Sequence, residues 1–154
     1  MGSSIVIPGR EDHAEQLKGR LRPKDHLEVL WATGQKPDDV LAESWRTSHL
    51  RWAIINEGRV LGIFGLGRAE GVGVPWLLGS PELDQYGFAF ARQSLHYLRI
   101  MLDVCPFLIN HVWSGNDTSI KWLKWCGFEF GELVAHGPAR EPFYPFSMRR
   151  ALDV

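Results

Sequence analysis

The side chains of this chain that could carry a proton near neutral pH are few and scattered. Glu28 and Glu43 sit in segments of helical periodicity, Glu70 lies beside an extended run, and His26 and His111 add two imidazoles. Each has a plainer reading. Glutamates more often line a solvated helix face, and His111 alternates with apolar neighbours as a half-buried strand residue does. Tyr86, Tyr97 and Tyr144 could donate a phenolic proton, but nothing in their spacing selects one. Cys105 and Cys126 belong to no Cys-x-x-Cys or Cys/His ligand pattern, so no metal site is expected. They read as small buried hydrophobes in a reducing compartment.

Two further segments could hold a ligand through a helix start. In Gly79-Ser80-Pro81-Glu82-Leu83-Asp84-Gln85, the serine fits an N-cap and the proline the first helical position. Helix starts attract anions, yet here the proline removes one amide, and Glu82 and Asp84 would repel a phosphate. The two acids read as partners of the helix dipole. In Asn116 to Phe128, Asn116 or Asp117 can cap the first turn, Gly127 suits the left-handed exit, and Phe128 anchors the chain as it leaves the helix. Ile120, Trp122 and Leu123 form the face to be buried, with Lys121 and Lys124 near the end where the dipole favours cations.

Positioning these groups falls to one domain, expected to span residues 1–154. A chain of 154 residues with 45% hydrophobic content can bury a core without disulfides or metals. Seven tryptophans and eight phenylalanines exceed what that core needs, which points to an aromatic-lined groove or a partner interface. A net charge of −1 with interspersed signs disfavours nucleic acid as a partner. No apolar run is long enough to cross a bilayer and the first residues lack a signal-peptide pattern, so a cytoplasmic protein is expected, or one packaged in a particle made there.

The periodicities predict a strand over Ser4 to Ile7 and then three short helices: Arg10 to Leu21, one opened by Pro23 and closed by Gly34, and one opened by Pro37. Leu50 to Ile55 and Arg59 to Leu66 form a hairpin about Glu57-Gly58, followed by a loop from Gly67 to Gly73. Val74 to Leu78 is a strand that Pro75 must leave bulged or unpaired on one side, and Trp31, Trp45, Trp76, Trp122 and Trp125 could cluster around it. A helix from Phe88 to Asp103 buries Phe88, Ala91, Leu95, Leu98 and Leu102, and Phe107 to Trp113 reads as a central strand. Glu129 to Val134 and Phe143 to Arg150 close the sheet about Gly137-Pro138. The expected class is α+β, a mixed, mostly antiparallel sheet flanked by helices, with three short helices after the first strand.

The Asn116 to Phe128 helix, with a small residue three after the asparagine and a terminal Gly-Phe, resembles the last helix of the Gcn5-related N-acetyltransferases, the GNAT superfamily. Gly73-Val74-Pro75-Trp76-Leu77-Leu78-Gly79 with Trp122-Leu123-Lys124-Trp125-Cys126-Gly127-Phe128 is more narrowly similar to the phage group typified by internal virion protein A of T7-like podophages. The resemblance runs from about Ile5 to Arg149. It implies a strand at Val74 to Leu78 that splays from its neighbour, so that Val74, Trp76, Leu77 and Leu78 meet the pantetheine arm of acetyl-CoA. By the same resemblance Gly79 and Ser80 lie at the diphosphate, Asn116 contacts the cofactor, Ser119 lets it pass, and Glu28 or Glu43 in the lid helices serves as general base.

Two departures weigh against catalysis. The glycine-rich diphosphate loop is replaced by proline and acids, and Leu123 stands where the family often has a tyrosine acid. The sequence therefore favours a GNAT-shaped phage virion or morphogenesis protein with a degenerate acetyl-CoA site, no cofactor, and virion or host proteins as partners. The alternative is an acyl-CoA-dependent N-acetyltransferase that uses acetyl-CoA and an amine acceptor not legible in the chain.

Overall fold

Two of the three lid helices open on a proline, and two are followed by a glycine of positive φ. A computed structural model describes residues 5–151. Ser4, expected in the first strand, and the side chain of Phe88, expected in the core, lie outside the described residues. After strand β1 (Ile5–Pro8) come helices α1 (Glu11–Leu17), α2 (Pro23–Thr33) and α3 (Pro37–Thr47). Pro23 and Pro37 open α2 and α3, and Gly34, at φ +69°, ends α2 by donating its amide to the Leu30 carbonyl. Helix α1 stops earlier than its periodicity suggests, because the chain reverses at Gly19, which holds φ +73°.

Strands β2 (Leu50–Asn56) and β3 (Arg59–Ala69) turn at Glu57-Gly58, and β3 runs directly into β4 (Val72–Gly79) at Glu70-Gly71. Both residues of each turn have positive φ, 50° and 76° in the first, 50° and 82° in the second. The loop expected over Gly67 to Gly73 is thus a second two-residue hairpin, made by the same Glu-Gly pair that marks the first. A 3-10 turn (Pro81–Tyr86) then joins α4 (Gly87–Val104), with Gly87 at the junction, followed by β5 (Phe107–Trp113) and α5 (Asp117–Cys126). The expected strand at Glu129 to Val134 is broken into β6 (Glu129–Phe130) and β7 (Val134–His136), both on β8 (Glu141–Arg149). At the break, Gly131 lies so near Pro145 that an added Cβ would come within 2.8 Å of its ring.

The eight strands form one sheet in the order β1-β2-β3-β4-β5-β8-β6, with β7 also on β8. Every pairing is antiparallel except β4 with β5. Alternation along the strands feeds two cores, one on each face. Ala53, Val60, Ile63 and Leu78 pack under α1 to α3 with Leu17, Leu41 and Trp45. Ile54, Leu61, Phe64, Leu108 and Phe146 pack against α4 and α5 with Phe90, Leu98, Met101 and Leu123. Burying each fully enclosed leucine stabilises the fold by about 1.5–3 kcal/mol.

The buried face of α4 differs from the expected one. It runs through Phe90, Ser94, Leu98 and Met101, whereas Leu95 is 36% exposed. Leu98 belongs to both patterns. Ser94 explains the rotation: its hydroxyl is bonded to the Ala91 carbonyl and to the Trp122 indole, so a polar residue can sit on the core side.

Candidate active site between the parted strands

Strands β4 and β5 run parallel and share a single paired position, Gly73 with Leu108. Beyond it they separate. The crotch is tight because position 73 has no side chain: an added Cβ would lie 2.7 Å from Leu108 and 2.8 Å from Cys105. Pro75, two residues on, stays in register with Leu66 of β3, so the strand does not bulge on that side. Its polar edge turns toward β5, where the Pro75 carbonyl accepts from the Asn110 amide at 2.8 Å. The missing N–H therefore falls on the side where no ladder exists. By strand alternation the backbone groups of Leu77 share that edge.

At the wide end the gap is held open by side chains of α2. Gly79, the last residue of β4, donates its amide to Asp25 at 2.9 Å, and Trp113, the last of β5, donates its amide to Glu28 at 2.8 Å. The Asn116 side-chain amide joins the two carboxylates, at 3.1 Å from Asp25 and 3.3 Å from Glu28. One chain of hydrogen bonds thus spans from strand to strand. Arg22 completes it with a two-pronged contact to Asp25, whose side chain is 1% exposed.

A cavity of about 190 Å3 passes through the gap. Pro75, Trp76, Leu77 and Leu78 line it from β4 and Asn110, His111 and Val112 from β5. On one side stand Glu28, Val29, Ala32, Thr33, Val40 and Ser44 of the lid, on the other Phe90, Ser94, Tyr97, Ser119, Trp122 and Leu123 of α4 and α5. Glu28 keeps some accessible surface because it opens onto this cavity, but protein encloses it. Burial raises its pKa from 4.5 to about 7, opposed by the Trp113 amide and assisted by the nearby Asp25 charge. His111 is stacked on His136 at 4.2 Å, and burial together with that second imidazole lowers its pKa.

The expected site residues divide. Glu28, Trp76, Leu77, Leu78 and Ser119 reach the cavity. Glu43 lies on the exposed face of α3, bonded to Arg46, and Glu70 sits at the tip of the β3–β4 turn, so neither approaches the gap. Val74 belongs to β4 but is outside the cavity lining. Asn116 opens α5 through its carbonyl, yet its side chain makes no capping bond; the amide goes to Asp25 and Glu28 instead. The five tryptophans at 31, 45, 76, 122 and 125 do not gather around β4. Trp76 and Trp122 line the cavity, Trp45 packs edge-on against Trp76, and Trp125 is 49% exposed. Among the described residues Tyr97 is the tyrosine that reaches the cavity, and Leu123 is buried beside it.

Asp25 and Arg22 escape sequence reasoning. The available signal is spacing: Arg22, Asp25 and Glu28 recur every three residues, which puts them on one side of α2. Nothing local reveals that this side faces two strand ends.

The segment after β4 is committed elsewhere. Ser80 makes no cap; its amide and hydroxyl both donate to the Leu61 carbonyl. Glu82 pairs with Arg59 and Arg20, and Asp84 with Arg22. The two acids serve as anchors for arginines from the lid and from β3, beyond any interaction with the helix dipole. With the Gly79 and Ser80 amides engaged and two carboxylates beside them, this helix start does not fit a diphosphate. The gap itself does fit a narrow, mostly apolar thioester arm, along the unpaired edge of β4 at Leu77 and past the small Ser119.

A mixed sheet with helices on both faces is shared with solved acetyltransferases. The structure is similar to the ribosomal-protein-S18-alanine N-acetyltransferase from Escherichia coli, with TM-score 0.70 at 11% identity, covering 98% of this chain and 96% of that one. The chain has the GNAT fold. A spermidine N-acetyltransferase variant from Vibrio cholerae superposes with TM-score 0.69 at 14% identity, over 96% of this chain and 94% of that one. An N-acetyltransferase from Staphylococcus aureus gives 0.68 at 13%, over 96% and 99%. No family model and no curated protein sequence matches. Among the described residues no group of His, Cys, Asp or Glu could hold a metal ion, and no helix is long and apolar enough to cross a membrane.

Proposed function

We propose that the protein transfers an acyl group from a thioester to an amine, with Glu28 as the general base. The observation that carries this reading is Glu28 itself, a carboxyl on a cavity between parted strands whose pKa is lifted to about 7. Such a group is partly ionised at neutral pH and strong enough to take a proton from an ammonium. The Trp113 and Asn116 bonds both go to Oε1, so Oε2 is the oxygen that receives the proton. An acyl thioester supplies the acyl carbon when bound in the gap. The chain orients it along β4, excludes water with Phe90, Trp122 and Leu123, and keeps the base fixed through Asn116. Glu28 takes one proton from the ammonium, and the free amine attacks; as the C–N bond forms and the C–S bond breaks, the second nitrogen proton goes to the departing sulfur, which leaves as free thiol. Acetyl-CoA is the natural donor for this fold, although the start of the 3-10 turn does not fit its diphosphate. The free, buried thiols of Cys105 and Cys126 support a reducing, cytoplasmic setting.

The ion pairs of Glu82 and Asp84 favour a second reading, a GNAT-shaped scaffold such as a phage virion or morphogenesis component that binds virion or host proteins without cofactor. Titration with acetyl-CoA separates the two. A ligand at a hundredfold excess over its dissociation constant adds about 2.7 kcal/mol of stability. The enzyme reading expects a clear thermal shift, calorimetric binding, and amine-dependent release of free thiol; a flat response at millimolar acetyl-CoA leaves the scaffold.

A further inference from the structure

Resting on the acyl-transfer reading, we infer that the acceptor is a small amine with a single positive charge and an apolar body, not a polyamine and not a peptide chain. Three features of the lid side of the cavity argue for this.

First, among the described residues Glu28 is the one carboxylate in the lining, and the wall around it, Val29, Ala32, Val40 and Trp76 with the uncharged or basic Thr33, Ser44 and His111, holds no second anion. One carboxylate matches one ammonium. A second ammonium would find no counter-charge, and burying an unpaired charge is strongly unfavourable. Asp25 does not help, since Arg22, Gly79 and Asn116 already occupy it. Second, the whole cavity, the part given to the thioester arm included, is about 190 Å3, below the roughly 300 Å3 at which drug-sized ligand sites begin. Third, the lid is bridged. The end of α2 touches the β7–β8 turn, where a Cβ on Gly137 would collide with the Trp31 backbone and one on Gly34 would come within 3.0 Å of Pro138. That contact leaves no open groove between α2 and the turn for an extended peptide, whose backbone would in any case find few polar side chains on the wall, chiefly Thr33, Ser44 and His111. Trp76 is a fixed platform for the apolar body: its indole donates to the Ser48 hydroxyl at 2.7 Å and it packs edge-on against Trp45 at 6.3 Å.

The test is binding, read without a donor, at pH 8 where Glu28 is ionised. Benzylamine, hexylamine, spermidine and an alanine-terminated peptide amide are titrated separately while intrinsic tryptophan fluorescence and calorimetric heat are followed. Saturable binding of benzylamine or hexylamine is expected, at least about tenfold tighter than spermidine or the peptide, and weakened about tenfold or more by Glu28→Gln. A second acid on the wall, Ala32→Asp or Thr33→Asp, is expected to raise spermidine affinity relative to hexylamine; near-ultraviolet circular dichroism identifies which variant keeps its packing. Spermidine or peptide binding as tight as the monoamines overturns the inference, as does a folded protein that binds neither monoamine. Monoamine binding with no acyl transfer fails the enzyme reading alone, and efficient acylation of spermidine fails this inference alone.

Discussion

Two pairs of acids flank the same gap and do opposite things. Asp25 and Glu28, on α2, are enclosed and hold backbone amides of the two strands that part. Glu82 and Asp84, in the 3-10 turn after β4, face outward and hold arginines. The difference lies in solvent access. Glu28, enclosed and near a second carboxylate, becomes a weak acid with a reason to keep a proton, while Glu82, outward and beside the Arg59 guanidinium, is pushed below its ordinary pKa. The fold has thus moved its electrostatic interest from the helix start, where an anion would ordinarily bind, to the lid helix on the other side of the sheet.

The sharpest way to break that contrast is Glu28→Gln, which keeps an acceptor oxygen for the Trp113 amide but cannot take a proton. Loss of about a hundredfold to ten-thousandfold in kcat is expected with acyl-donor binding unchanged. The wild-type rate should rise with pH through an apparent pKa of about 7, and stopped-time assays from about pH 5 to about pH 9 would show it. A rate that ignores pH in this range removes Glu28 from the mechanism.

Asp25→Asn strikes the spacer rather than the base. It leaves the Arg22 guanidinium without its buried counter-charge, and breaking such a pair costs about 3–5 kcal/mol, measurable as a lower urea midpoint. A variant as stable as the parent would mean that Arg22 relaxes onto Asp84 at no cost.

Stability against pH offers a third measurement. The folded pKa of Glu28, about 7, lies above its ordinary 4.5, so its contribution is fully present below about pH 4.5 and is lost as pH rises through about 7. Glu28→Gln, which never ionises, should match the parent at about pH 4.5 and be the more stable of the two at about pH 8. The gap is bounded at about 3.5 kcal/mol, because each unit of pKa shift is about 1.4 kcal/mol. Thermal melts at the two pH values read it, and parallel melts would contradict the raised pKa.

The smallest effect belongs to the outer pair. Glu82→Gln with Asp84→Asn removes repulsion from the helix start without supplying glycines. The unfolding midpoint should stay nearly where it was, and acetyl-CoA affinity should rise by about a few-fold at low salt and less at high salt. A large loss of stability would show that the Arg20, Arg22 and Arg59 contacts matter more than exposed ion pairs usually do.

Much of the scaffold is legible in the sequence because its signals are local. Pro23, Gly34, Pro37 and Gly127 bracket helices by the φ angles they permit, and the Glu57-Gly58 turn is readable for the same reason. Its twin at Glu70-Gly71 is hidden, because the glycine-rich stretch around it looks like a loop until β3 and β4 are seen in register. Glu28 stands among several candidate acids, and Glu43 looks equally good: both occupy amphipathic helices, and no periodicity says which face will meet a strand end. Leu95 and Ser94 exchange expected places for a similar reason, since the Trp122 indole that satisfies Ser94 comes from a helix 28 residues away.

What the chain alone determined was most of its elements and the missing donor in β4, because proline lacks an amide wherever it sits and glycine turns where others cannot. What only the tertiary structure decided was the chemistry. The pKa of Glu28 arises from enclosure and from Asp25, and the spacer that keeps the strands apart joins residues 25, 28, 79, 113 and 116. Solvation and hydrogen bonding depend on what surrounds a carboxyl in space, and those neighbours are assembled only when three separate stretches of chain converge.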